Sequence, residues 1–157
     1  MSFASVEATS DYSLLIQQAQ ALFHGEQDAI ANAANLSSLI YHGMADLNWA
    51  GFYFLKDGEL VLGPFHGQPA CVRIPLGKGV CGTAAATKTT QRIDDVDQFP
   101  GHIACDAASR SEVVVPLVRD GELLGVLDID SPKLQRFTVA EQEALEQLAH
   151  LWLAASQ

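Results

Sequence analysis

Apolar positions along the chain form two helical stripes, then a series of alternating runs, then one last helical stripe. Tyr12, Leu15, Ile16, Ala19, Leu22 and Phe23 recur at three- and four-residue steps, the spacing of one helix face. His24-Gly25 ends that stripe, and a second follows at Ile30, Ala33, Leu36, Ile40, Met44 and Leu47. Both helices read as packing layers. From Trp49 the period drops to two, which predicts a strand with Trp49, Gly51 and Tyr53 on one face and Phe52 and Phe54 on the other. Lys56-Asp57-Gly58-Glu59 is a tight-turn signal, so residues 60–62 are expected to return antiparallel. Residues 63–69, with Gly63-Pro64 and Gly67, read as loop, and a short strand over 70–75 carries Cys71.

Gly77-Lys-Gly-Val-Cys-Gly82 is a glycine-rich turn entering a short alanine-rich helix, with Cys81 near its start. Residues 89–108 are expected to be mostly irregular, because Asp94, Asp95, Asp97, Pro100 and Gly101 suit neither regular structure; 103–108 has room for one or two helical turns. A second hairpin joins 112–118 to 122–130 through Arg119-Asp120-Gly121. The chain closes with a helix whose capping box is Thr138-x-x-Glu141 and whose stripe is Leu145, Leu148, Leu151 and Trp152. Two Asp-Gly hairpins among helices predict an α+β domain with an antiparallel sheet.

The 157 residues are one domain's worth, enough to bury roughly two-thirds of the unfolded surface without disulfide support. Nine basic against nineteen acidic side chains give a formal charge of −10, which repels phosphate backbones and anionic lipid. No run reaches the ~18 apolar residues of a membrane span. The expected partners are therefore a small molecule or a protein, with no nucleic acid and no membrane. The first residues have neither a basic nor an apolar signal region, and three cysteines, Cys71, Cys81 and Cys105, fit a reducing cytoplasm.

Three constellations could carry chemistry. Gly77 to Gly82 matches G-x-G-x-x-G in form, but a dinucleotide site needs a parallel βαβ unit, which the hairpins exclude here. The cysteines lack a C-x₂₋₄-C pair for zinc, and His102-x-x-Cys105 alone is too few ligands. Redox use of the thiols is the sharper reading, set against small buried hydrophobes: each Cys lies beside turn-forming or polar residues, and at Cys81 the helix dipole favours thiolate. Asp128 and Asp130 share one face of an otherwise apolar strand. A two-residue Asp120-Gly121 turn sends Glu112 to the opposite face, whereas a three-residue loop sets it opposite Asp128. Three clustered carboxylates raise at least one pKa and supply a proton donor or a cation pocket; the alternative is a solvated strand end.

With these residues assembled, the chain resembles the GAF-domain family of free methionine-(R)-sulfoxide reductases over nearly its whole length. The likeness rests on Asn48-Trp-Ala-Gly-Phe-Tyr53, Gly63-Pro-Phe-His-Gly-Gln-Pro-Ala-Cys71, Gly77 to Gly82, His102-Ile-Ala-Cys105, Ser111-Glu-Val-Val-Val-Pro116 and Gly125-Val-Leu-Asp-Ile-Asp130. The resemblance implies a single GAF domain over 1–157, with terminal helices on one face of a central antiparallel sheet and a ligand pocket on the other. It implies that Cys105 attacks the sulfur of free methionine-(R)-sulfoxide while carboxyl groups among Glu112, Asp128 and Asp130 bind and protonate the oxygen. It makes Cys71 the resolving partner and Cys81 an alternative one, Trp49 and Tyr53 the apolar wall around the substrate, and thioredoxin the external reductant, with no bound cofactor or metal. It also suggests a homodimer. A non-catalytic GAF module that senses a small ligand is the alternative function.

Overall fold

The computed structural model describes residues 11–102, 105 and 107–156. Helices α1 (Ser13–Phe23) and α2 (Ala29–Gly43) precede strands β1 (Trp49–Lys56), β2 (Glu59–Gly67) and β3 (Arg73–Pro75). Helix α3 (Gly79–Thr87) and the short strand β4 (Gln91–Ile93) lead to a 3₁₀ turn at Val96–Gln98. The hairpin of β5 (Ser111–Arg119) and β6 (Glu122–Ser131) and the helix α4 (Val139–Ala155) complete the chain. The expected helical turns over 103–108 include Ile103, Ala104 and Asp106, which lie outside the described residues.

The six strands form one antiparallel sheet in the order β3-β2-β1-β6-β5-β4. Both hairpins close through two residues with positive φ, Asp57-Gly58 and Asp120-Gly121, the backbone of type I′ turns that match strand twist. Helices α1, α2 and α4 cover one face, where Leu36, Ile40, Leu145, Leu148 and Trp152 pack on Phe52, Val113, Leu127 and Ile129. Leu22 and Ile30, at the edges of their stripes, face solvent instead. Thr138 and Glu141 make the reciprocal capping box that starts α4. Glu141 also receives hydrogen bonds from Arg136 and from the Tyr12 hydroxyl of the chain entering α1.

Two segments differ from the sequence reading. Strand β2 runs through Gly63-Pro64 to Gly67, because the register slips where those residues face Phe52 and the ladder resumes at Phe65 opposite Gly51. A proline sits there without losing a ladder bond. Cys71 precedes β3, which is only three residues long.

Candidate active site

The sheet face opposite the three long helices carries α3 and a hollow of about 500 Å³, counting its open mouth. Three adjacent strands build its floor. Trp49 of β1 pairs with Asp130 of β6, and Asp130 pairs with Glu112 of β5; one step along, Gly51 pairs with Asp128. A Cβ at residue 51 would stand 2.3 Å from Phe65 Cβ and 2.8 Å from the Trp49 ring, so glycine lets the indole lie over the strand. Trp49 stacks on Phe65 at 5.2 Å and on Tyr53 at 5.9 Å between ring centroids.

The position of Glu112 depends on a bulge. Asp120-Gly121 is a two-residue turn pairing Arg119 with Glu122, a register that would put Glu112 opposite Ile129 and among the helices. Leu124 is an extra residue: Val118 pairs with Leu123, and Leu117 pairs with Gly125. Beyond it Glu112 faces Asp130 and Val114 faces Asp128, so neither register expected from the sequence holds. All three carboxyls share the hollow.

Glu112, Asp128 and Asp130 are each more than nine-tenths buried. Burial and the neighbouring Asp128 push the Glu112 pKa well above the ordinary carboxyl value. Burial and Asp130 do the same to Asp128. Cys81 belongs to this cluster, its Sγ 3.9 Å from Glu112 Oε2. Burial, then Asp128 and Glu112, push its thiol well above the usual range, reversing the expectation from the helix dipole. A fully buried thiol beside carboxyls stays a neutral donor.

Cys105 lines the same hollow and is joined by a disulfide to Cys71, with the Cα atoms 5.4 Å apart. The aromatic wall holds the Cys71 segment from below. The Tyr53 hydroxyl donates to the Cys71 carbonyl at 2.8 Å, and Trp49 Nε1 donates to the Gln68 carbonyl at 3.1 Å. Burial and the carboxylates raise the Tyr53 pKa, so its hydroxyl keeps this proton.

Sequence reasoning passed over Lys78 and Ser109, which also line the hollow. Ser109 accepts a hydrogen bond from Asn48 Nδ2 at 3.0 Å, a contact across sixty-one residues that no local pattern signals. Lys78 is the residue before α3, whose first turn holds no acidic residue and no side-chain cap. The backbone amides at the start of α3 thus border the hollow opposite its acidic floor.

A GAF-domain family model matches residues 31–155 of this chain. The chain is similar to the free methionine-R-sulfoxide reductase of Escherichia coli, at 55% identity over 89% of this chain and 85% of that protein. It is similar to the free methionine-R-sulfoxide reductase of Saccharomyces cerevisiae, at 48% identity over 87% and 81%. Among solved structures, the free methionine-R-sulfoxide reductase from Neisseria meningitidis in complex with its substrate superposes with a TM-score of 0.90, at 41% identity over 94% of this chain and 89% of that one.

Proposed function

The chain belongs to the GAF-domain free methionine-R-sulfoxide reductases, enzymes of sulfur oxidoreduction, and from that membership we propose how its own residues carry out the reaction. The substrate is free L-methionine-(R)-S-oxide and the product is methionine. The observation that carries the reading is the disulfide joining Cys105, on the pocket wall, to Cys71, with three buried carboxyls facing the same hollow.

In the reduced protein the Cys105 thiolate attacks the sulfoxide sulfur. Oxide is a very poor leaving group, so the S–O bond breaks only as the oxygen gains a proton. Glu112, held protonated by burial and by Asp128, and Asp128, held so by burial and by Asp130, supply that proton and hydrogen-bond the developing charge. Oxygen passes from the methionine sulfur to Cys105, leaving a thioether and a sulfenic acid. The Cys71 thiol then displaces water and forms the Cys71–Cys105 disulfide, with Cys81 as an alternative partner. Thioredoxin restores the thiols by exchange, so the electrons come from an external dithiol and no prosthetic group takes part.

Selectivity for the free amino acid follows from the same hollow. Trp49 and Tyr53 offer an apolar wall to the methyl and thioether groups. Asp130 complements the substrate ammonium, and Lys78 with the amides opening α3 complements its carboxylate. A peptide would neutralise both termini and need two exits. We place the reaction in the cytoplasm, in a single domain spanning 1–157. No helix among the described residues is long and apolar enough to cross a membrane.

The test is a thioredoxin-coupled assay with separated R and S epimers of free methionine sulfoxide and a blocked peptide analogue. Turnover confined to the free R epimer is expected. Equal turnover of the peptide analogue would overturn the reading.

A further inference from the structure

We propose that the thiol and carboxylates of the hollow form a zinc-binding inhibitory site, in which Cys81, Glu112 and Asp128 take up one Zn²⁺ in place of substrate. The inference rests on the proposed reductase site, because the metal would occupy the space assigned to the sulfoxide.

One ligand-capable atom from each of the three residues lies within 4.8 Å of the other two. A point therefore exists within about 2.8 Å of all three, against the ~2.0–2.3 Å of formed zinc–oxygen and zinc–sulfur bonds. Each side chain has at most about 0.5–0.8 Å to travel. The donor set mixes one sulfur with two carboxylates, which suits zinc better than magnesium or calcium, cations that favour oxygen alone.

A second observation points to a ligand at this place. Asp128 is only 5% exposed, lines the hollow, and its Oδ1 has no hydrogen-bond partner among the described residues. A buried carboxyl oxygen left without a donor is costly, and a cation satisfies it. The ligands sit on three separate elements, α3, β5 and β6, which pack directly together and hold the donors in place without metal.

The site also adjoins the nucleophile. Cys105 lines the same hollow, and while it is bonded to Cys71 it offers no thiolate. In the reduced protein a metal held at this cluster occupies the hollow that the Cys105 thiol lines, and so masks the nucleophile. Bound zinc would thus leave the enzyme idle, and substrate would compete the metal away.

The experiment uses the full chain reduced with a non-thiol phosphine and titrated with Co²⁺, whose thiolate charge-transfer absorption reports sulfur ligation without any turnover. One equivalent is expected to produce the band, excess Zn²⁺ should erase it, and free methionine-(R)-sulfoxide should erase it in the Cys105→Ser chain, which cannot turn over. In Cys105→Ser chain the band must persist from Cys81; in Cys81→Ser chain affinity should fall at least as far as the ~10–100-fold lost with an outer-shell partner. Asp128→Asn, which retains all three thiols, should fall similarly and guards against misfolding of the cysteine variants. No stoichiometric band, or a band indifferent to both Cys81→Ser and Asp128→Asn, would overturn the site. Because the readout is spectroscopic, a chain that binds cobalt but reduces no sulfoxide would separate failure of the reductase reading from failure of this one.

Discussion

Glu112 stands directly opposite Asp130 across the β5–β6 ladder, and Leu124, as the one extra residue of the hairpin, puts it there. The bulge turns a two-residue hairpin that would have hidden Glu112 among the helices into one that delivers it to the acidic floor.

Replacing Glu112 by Gln keeps a hydrogen-bond donor near the sulfoxide oxygen but removes a transferable proton. We expect kcat with free methionine-(R)-sulfoxide to fall about 10²- to 10⁴-fold, the range for loss of a general acid. Steady-state kinetics across pH checks it further: wild-type activity should decline on the alkaline side as Glu112 and Asp128 lose the protons that burial holds on them. A variant as fast as wild type at all pH values would move the proton donor elsewhere.

The same variant should be more stable. Burial raises the pKa of Glu112 in the folded state, so its protonated form favours the native chain below the ordinary carboxyl value of ~4.3, and this contribution is lost as pH rises through the raised folded pKa. Glu112→Gln should therefore be more stable than wild type at pH 8, a gain that shrinks toward pH 4. Urea titrations at both pH values decide it. A pH-independent difference would mean that Glu112 ionises as easily folded as unfolded.

Tyr53→Phe preserves the apolar wall and deletes the hydrogen bond to the Cys71 carbonyl. Disulfide formation should slow about 2- to 10-fold, the worth of one such bond, while the first methionine is released at the wild-type rate. Rapid-quench measurement of methionine and of free thiols separates the two steps. A slowed first release with unchanged disulfide formation would place Tyr53 only in substrate binding.

Gly125 follows the bulge, and a Cβ there would lie 2.1 Å from the Tyr53 carbonyl oxygen. Gly125→Ala should cost about 1–3 kcal/mol, as overpacking does, and lower activity by disturbing the register that carries Asp128 and Glu112. An unchanged urea midpoint with unchanged activity would show that the β1–β6 contact yields freely.

What was legible in the sequence was what short-range chemistry decides. Asp57-Gly58 and Asp120-Gly121 can adopt the paired positive φ of hairpin turns, Thr138 and Glu141 complete each other within one helical turn, and alternation in β1 puts Trp49 and Tyr53 on the face away from Phe52. What escaped depends on distant partners. Strand β4 is three residues long and exists because Gln91 to Ile93 pair with β5. The bulge at Leu124 has no local marker, since the glycine beside it is needed for contact with β1. The proton affinity of Cys81 follows from burial and from carboxyls on β5 and β6, which together outweigh the helix dipole that its own segment suggests.

The most direct test reduces the Cys71→Ser chain, mixes it with one equivalent of free methionine-(R)-sulfoxide and a sulfenic-acid trap, and maps the adduct by mass spectrometry. Without a resolving thiol at 71, one methionine per chain is expected, with Cys105 modified either as the trap adduct or as a disulfide to Cys81. Methionine released with the adduct on Cys81 and none on Cys105 would contradict the account.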